Sequence, residues 1–363
     1  MKKIGLITIF DEMNFGNRLQ NYALSYFINK KLKYKCITLV SDPHKSILFV
    51  IKQNIIYILS KTPLKKTISK NPIDWKYWRF LWFDRKYIPI KYYYGTYSIP
   101  SSVNKKFDCF LVGSDQVWNY NFSGRFGAFS KHKNDYFLEF ADPVKRVSYA
   151  ASFGTDEIVE KWRSDYKNLL SQFHYLSVRE NEGKTIIEHL LIDKNVEIHI
   201  DPTLLLSTEE WEKVIRKPIF AYKKQYMFVY FLGEKEQIAF QAIEQIRQNK
   251  NLYEIDIMDK SNLHYFVSGP SEFLWWIKHS ELVLTDSFHA IVFAIIFDRP
   301  FIVFYRTGMN SRIKTLLNKL HLESRLVENI TSDNLYDNDY RYAKEIIHSE
   351  QKKSRTYLLR SLE

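Results

Sequence analysis

At 363 residues the chain exceeds one ordinary core, so two domains are expected. Its 45% hydrophobic and 26% charged residues set aside disordered and fibrous classes, and two cysteines, Cys36 and Cys109, set aside a disulfide framework. A net charge of +12 attracts anionic partners, but no helix-turn-helix, zinc finger or RNA-recognition motif accompanies it, so nucleic acid is excluded as the partner.

The amino terminus, Met1-Lys2-Lys3-Ile4, starts like a signal peptide, yet its apolar run stops at Phe10, before Asp11 and Glu12. It is read as a first strand over 3–10. No run reaches the roughly 18 apolar residues of a membrane span, so a cytoplasmic location is expected. A helix over 18–33 carries Leu19, Tyr22, Ala23, Tyr26 and Phe27 on one face, and a strand follows at 36–40. Residues 44–106 are basic and aromatic and show no clear order. Within them, 46–59 can form an amphipathic helix at a membrane surface, lining the acceptor cleft or packed on its own domain.

Strands return at 107–112, 146–151, 175–178 (with a helix at 181–191) and 196–200, where Asp201-Pro202 stops further pairing. Helices near 208–215, 234–248, 271–279, 288–297 and 311–320 then alternate with strands at 225–232, 253–258, 281–285 and 300–305. This alternation predicts an α/β protein whose parallel sheets are covered on both faces. The break near 203–217 suggests two such sheets with a cleft between them, in domains 1–205, with 44–106 as an insertion, and 206–330. A helical tail over 331–363 would return to brace the first domain.

The most informative stretch is Thr285-Asp286-Ser287-Phe288-His289, where a buried strand meets an apolar helix. Ligands collect at such junctions, helix starts favour anions, and histidine carries a proton labile near neutral pH. Taken alone, it is equally a helix cap beside an ordinary histidine. Further on, Arg306 follows a strand and Asn310-Ser311-Arg312 opens a helix, which together would extend an anion site. Arg325, at a helix end, is a weaker candidate because it can simply satisfy carbonyls.

Earlier in the chain, the first strand empties into Asn14-Phe15-Gly16-Asn17-Arg18-Leu19-Gln20. That is either a floor of amides for sugar hydroxyls or a capped turn. Its single glycine disfavours a dinucleotide site. The run Gly113-Ser114-Asp115-Gln116-Val117-Trp118-Asn119 suits carbohydrate, with a carboxylate for hydroxyls and an indole face for a pyranose, or else it is an aromatic plug. Arg179 ends a strand beside Glu180. Its fork suits a carboxylate or phosphate, or pairs locally with Glu180 or Glu182. No metal-ligand spacing, Gly-x-Ser-x-Gly elbow or Walker loop is present.

In order, Asn14–Asn17 with Gln20–Leu24, Val112–Asn119, Ser177–Glu180, Asp201–Leu205, Gly269–Phe273, Thr285–Ala290, Arg306 and Ser311-Arg312 resemble the polysaccharide pyruvyltransferase family. The resemblance implies a GT-B-like fold of two facing Rossmann-like domains. It also implies transfer of pyruvate from phosphoenolpyruvate to two hydroxyls of a sugar, forming a ketal. No metal or other cofactor is then needed.

On that analogy Arg179, Asp286, Ser287, His289, Arg306 and Arg312 hold phosphoenolpyruvate. His289 exchanges protons, with Asp115 as a second acid–base group. Asn14, Asn17, Gln20, Ser114, Asp115, Trp118 and Asn119 hold the acceptor, a surface-polysaccharide sugar or its lipid-linked precursor at the inner membrane face. Many relatives carry arginine where this chain has Ser287, a charge that Arg306 or Arg312 would supply. The rival expectations are a nucleotide-sugar-dependent GT-B glycosyltransferase and a glycan- or membrane-binding protein without activity.

Overall fold

The computed structural model describes residues 1–10, 13–44, 48, 55–56, 58–59, 71–121, 123–124, 127–190, 192–221, 224–306 and 310–363. The amphipathic segment expected at 46–59 falls largely outside them. The chain forms two compact units. The first comprises Met1–Asn71, Phe80–Leu205 and Glu350–Glu363, and the second Pro72–Arg79 and Leu206–Ser349.

Two boundaries differ from expectation. The Pro72–Tyr87 helix, inside the supposed insertion, gives its first eight residues to the second unit, where Arg79 pairs with Glu272. The terminal helix Arg341–Leu362 belongs to the second unit through Ser349 and to the first from Glu350 onward.

The first unit is built on parallel strands β1 (Lys3–Ile7), β2 (Lys35–Asp42), β3 (Ile90–Tyr94) and β4 (Cys109–Gly113). A small antiparallel pair, β5 (Ser123–Gly124) and β6 (Gly127–Ala128), precedes β7 (Arg146–Tyr149). The sheet order is β3-β2-β1-β4-β7. Single parallel bridges carry it on to β8 (Leu176–Val178), which pairs with β9 (Val196–Ile198). Interior strands such as β4 are buried throughout, which is why they read as continuous apolar runs rather than alternating ones.

The two cysteines flank one residue of the central strand, since Ile4 pairs with Cys36 on one side and Cys109 on the other. Two strand spacings, about 9–10 Å, separate them, which is beyond disulfide reach.

The second unit has four parallel strands: β10 (Tyr226–Tyr230), β11 (Tyr253–Asp256), β12 (Leu282–Thr285) and β13 (Phe301–Val303), in the order β11-β10-β12-β13. The helix Phe288–Ile296 is buried on every side, as its sequence FHAIVFAII requires, and Trp211 packs edge-on against its Phe293 at 4.8 Å.

Both sheets reverse direction once. From β1 the chain builds outward through β2 and β3, then crosses back to β4. From β10 it builds to β11, then crosses back to β12. The crevices at the carboxyl ends of β1/β4 and β10/β12 are therefore the topological switch points, the places where open parallel sheets bind ligands.

Candidate active site

The switch point of the first unit holds the Asn14–Gln20 and Gly113–Asn119 segments. Asn14 caps the helix Phe15–Tyr26 by accepting the Asn17 N–H at 3.0 Å. Beyond β4, Ser114, Asp115 and Gln116 all adopt left-handed backbone, with φ of 55°, 36° and 57°. Each such residue costs roughly 1–2 kcal/mol, so this turn persists only because its surroundings impose it.

The surroundings are specific. Ser114 Oγ donates to Asp201 Oδ2 at 2.8 Å, and Asn119 Nδ2 donates to Gln116 Oε1 at 3.1 Å. Gly154, itself at φ +65°, leaves no room for a Cβ against the Gln116 side chain. Arg179 reaches Asp201 at 2.6 Å, Asp115 at 3.5 Å and Glu180 at 3.5 Å. Burial alone would disfavour its charge, but these three carboxylates outweigh that and hold its pKa above the ordinary arginine range. Of the three, Asp115 is the most accessible, with a side chain 13% exposed against 2% and 0% for Glu180 and Asp201.

Several expected acceptor contacts are not on the surface. Trp118 is fully buried, its indole stacked on Phe137 and flanked by Phe153 and Phe173, with Nε1 donating to the Tyr136 carbonyl. No face is left for a sugar, and the aromatic-plug alternative holds. Gln20 and Ser114 are also fully buried, Gln20 donating to Thr8 Oγ1 at 2.5 Å. Asn119, 5% exposed, is held by Gln116 and by the Asn121 N–H. These side chains shape the elbow from behind.

In the second unit Asp286, 1% exposed, accepts the N–H groups of Leu232 at 2.7 Å and Gly233 at 2.9 Å. Its carboxylate thus joins the loops after β10 and β12 and cannot itself attract an anion. Arg306 Nε lies 3.3 Å from Asp286 Oδ2, and a Cβ on Gly233 would collide with the arginine side chain. Asn310 fixes the start of the next helix by accepting the Arg306 N–H and donating to its carbonyl.

Ser287 occupies the cap position of the Phe288–Ile296 helix but makes no side-chain cap bond. His289 stands in the first turn, 6% exposed, and Arg312, 9% exposed, in the first turn of Ser311–Leu320. The carboxyl ends of β10, β12 and β13 thus carry a carboxylate clamp, a histidine and two arginines.

Arg179, grouped at first with these cations, instead stands with Ser114 and Asp115 in the first unit, because β8 continues the first sheet. Arg325 donates to the carbonyls of Phe301, Asn334 and Leu335.

Sequence reasoning missed the parts of Asp201 and of the buried Arg18–Asp84 pair. The pair, 2.7 Å apart with Arg18 also over the Phe10 ring, lies at the exit of β1. The Asp201-Pro202-Thr203 turn was the available signal for the first, since Asp201 also accepts the Thr203 N–H and hydroxyl. Nothing local announced the second.

A family model for polysaccharide pyruvyl transferases matches residues 14–308, which takes in both elbows. The chain belongs to that family. The polysaccharide pyruvyl transferase is accordingly an enzyme of the transferase class. No curated protein matches it by sequence.

Among solved structures it is similar to the UDP-GlcNAc 2-epimerase of Neisseria meningitidis bound to UDP-GlcNAc. The identity is 11% and the TM-score 0.50, over 99% of this chain and 100% of that one. An alpha-glucosyltransferase in complex with UDP and DNA follows at 8% identity and TM-score 0.48, covering 99% of each. The UDP-GlcNAc 2-epimerase of Methanocaldococcus jannaschii gives 12% and 0.43, over 96% of this chain and 99% of that one. At such identities the likeness is one of fold: the pyruvyl transferase is a GT-B-type protein of two Rossmann-like units.

Proposed function

We propose that the enzyme transfers pyruvate from phosphoenolpyruvate to two hydroxyls of a sugar in a surface polysaccharide or its lipid-linked precursor. The observation that carries this is the family match together with the cations gathered at the carboxyl ends of β12 and β13. Phosphoenolpyruvate bears a carboxylate and a phosphate, so it needs convergent cations and helix-start amides. Arg306, Arg312 and the Ser287–His289 turn meet that need. Among the described residues Asp286 engages Arg306 through Nε, which leaves its terminal nitrogens for a ligand.

The chemistry proceeds in two additions. One sugar hydroxyl attacks C2 while His289 delivers a proton to C3, and the hydroxyl proton passes to a base. The C2–O bond to phosphate then breaks, and phosphate departs. The second hydroxyl attacks C2 and its proton leaves with phosphate, giving a cyclic ketal with a methyl group at the former C3. Asn14 and Asp115 orient the acceptor, and Arg179 holds Asp115 in place, while the buried Asn17 side chain shapes the turn from behind.

Ligand-induced thermal stabilisation tests the donor. Phosphoenolpyruvate at a hundred times its dissociation constant adds about 2.7 kcal/mol to the stability of the folded protein. A raised Tm is expected for wild type, and none for Arg306→Ala. A shift with a nucleotide sugar and none with phosphoenolpyruvate would instead make the chain a glycosyltransferase.

A further inference from the structure

The second unit contains a concavity that the proposed reaction does not use. One face of its sheet is covered by the helix Gln237–Lys250, through Ala239, Ile243 and Ile246. Over β13 the cover is different: Leu326 joins β13 by one parallel bridge, and an irregular strap runs on to Leu335. Val327, Ile330 and Leu335 of the strap stand opposite Ala242 and Ile246, across a cavity of about 330 Å³ that Ile302 also lines. That volume lies within the span of small-molecule sites, roughly 300–1,000 Å³, and so does the mainly apolar lining.

The strap is held in place. Arg325, 1% exposed, donates through Nε and Nη2 to the Phe301 carbonyl, through Nη1 to Asn334 O at 2.5 Å and through Nη2 to Leu335 O at 3.0 Å. A buried guanidinium with these carbonyl partners does not yield cheaply, so the cavity is formed before any ligand arrives.

Polar groups gather at its mouth, where Lys250, Gln245, Thr331 and Ser332 complete the lining. Lys250 has no ion-pair partner among the described residues, and its ammonium lies 5.7 Å over the Tyr336 ring. Ser332 donates its hydroxyl to Asp333 Oδ1 at 3.2 Å, and Thr331 lines the same cavity as the lysine. The Gln237–Lys250 helix leaves the carboxyl end of β10 and returns to the amino end of β11, so Lys250 stands at the sheet edge opposite the His289 elbow.

We propose that this cavity binds an amphipathic anion. Its aliphatic body lies along Ile246, Ile302, Val327, Ile330 and Leu335, and its carboxylate or phosphate head meets Lys250 and Thr331. The site is separate from the elbow, so its ligand is not consumed by the reaction.

Calorimetric titration of the full chain with decanoate, decyl phosphate and decanol, each below its micelle-forming concentration, tests this. Both anions should bind one to one and decanol about tenfold more weakly, the worth of one charge-assisted contact. Lys250→Gln should bring the anions down to the level of decanol. Ile246→Trp, which fills the cavity, should abolish all binding, and if it does not fold, the rim variant Ala242→Leu should do the same.

Tighter binding of decanoate would mark a fatty carboxylate, and of decyl phosphate a lipid phosphate; either supports the site. No saturable binding, anion binding unaffected by Lys250→Gln, or binding that survives a folded cavity-filling variant would overturn it.

Discussion

The two elbows occupy equivalent switch points but are built on opposite principles. After β4, charge is buried and interlocked: one arginine serves three carboxylates, and three successive residues accept left-handed backbone. After β12, the buried Asp286 carboxylate is spent on loop amides, and Arg306 stands nearer the surface, its side chain 18% exposed. The first arrangement stores conformational energy to hold one carboxylate, Asp115, in a fixed place. The second presents positive charge at little cost. A donor with two anionic groups needs charge, and an acceptor offering two hydroxyls needs geometry.

Replacing one arginine in each elbow should separate these roles. Arg179→Ala leaves three carboxylates clustered without their counter-charge and should cost about 3–5 kcal/mol by denaturant unfolding. Arg306→Ala, at a side chain 18% exposed, should change stability by no more than about 1 kcal/mol while abolishing the response to phosphoenolpyruvate. Equal stabilities for the two variants would erase the contrast.

A smaller effect tests the strained turn itself. Gly154→Ala adds a methyl at positive φ against Gln116 and should cost about 1–2 kcal/mol. Its kcat should fall as well if the turn positions Asp115.

The smallest effect concerns pH. Burial pushes the Asp135 carboxyl up to about 6, against hydrogen bonds from Ser41 and Ile99 that favour its charged form. The folded chain therefore retains a proton that the unfolded chain has lost between about pH 4 and 6. This group's contribution is full below about pH 4 and is lost as pH rises through 6. Relative to Asp135→Asn, wild type should lose stability across that window in denaturant titrations at pH 4.5 and 7.

Both switch points were legible because buried parallel strands leave unbroken apolar runs, and those runs stop where the chain must turn polar. Ser287 and His289 could be placed at a helix start from that alone. Partnerships made across the sheet were not legible. Arg179 was weighed against its neighbours Glu180 and Glu182, whereas its shortest contact is to Asp201, delivered by the strand beyond. Trp118 looked like a sugar platform because the three phenylalanines that enclose it come from separate segments. The Pro72–Tyr87 helix was hidden because aromatic and basic residues occur all round it, as expected of a helix that meets one unit with its start and another with its end.

The flanking of Ile4 by Cys36 and Cys109 has a practical corollary. Burial raises both thiols to about 12, so thiolate, the reactive form, is essentially absent from the folded chain at neutral pH. The native sequence is in effect blank to maleimide dyes. One cysteine at exposed Glu157 and another at exposed Glu234 would be labelled alone, giving a fluorescent ruler between the two units without removing any natural residue of the core. The same two silent thiols become a clock when the chain unfolds, because their alkylation begins only after the sheet around Ile4 has opened.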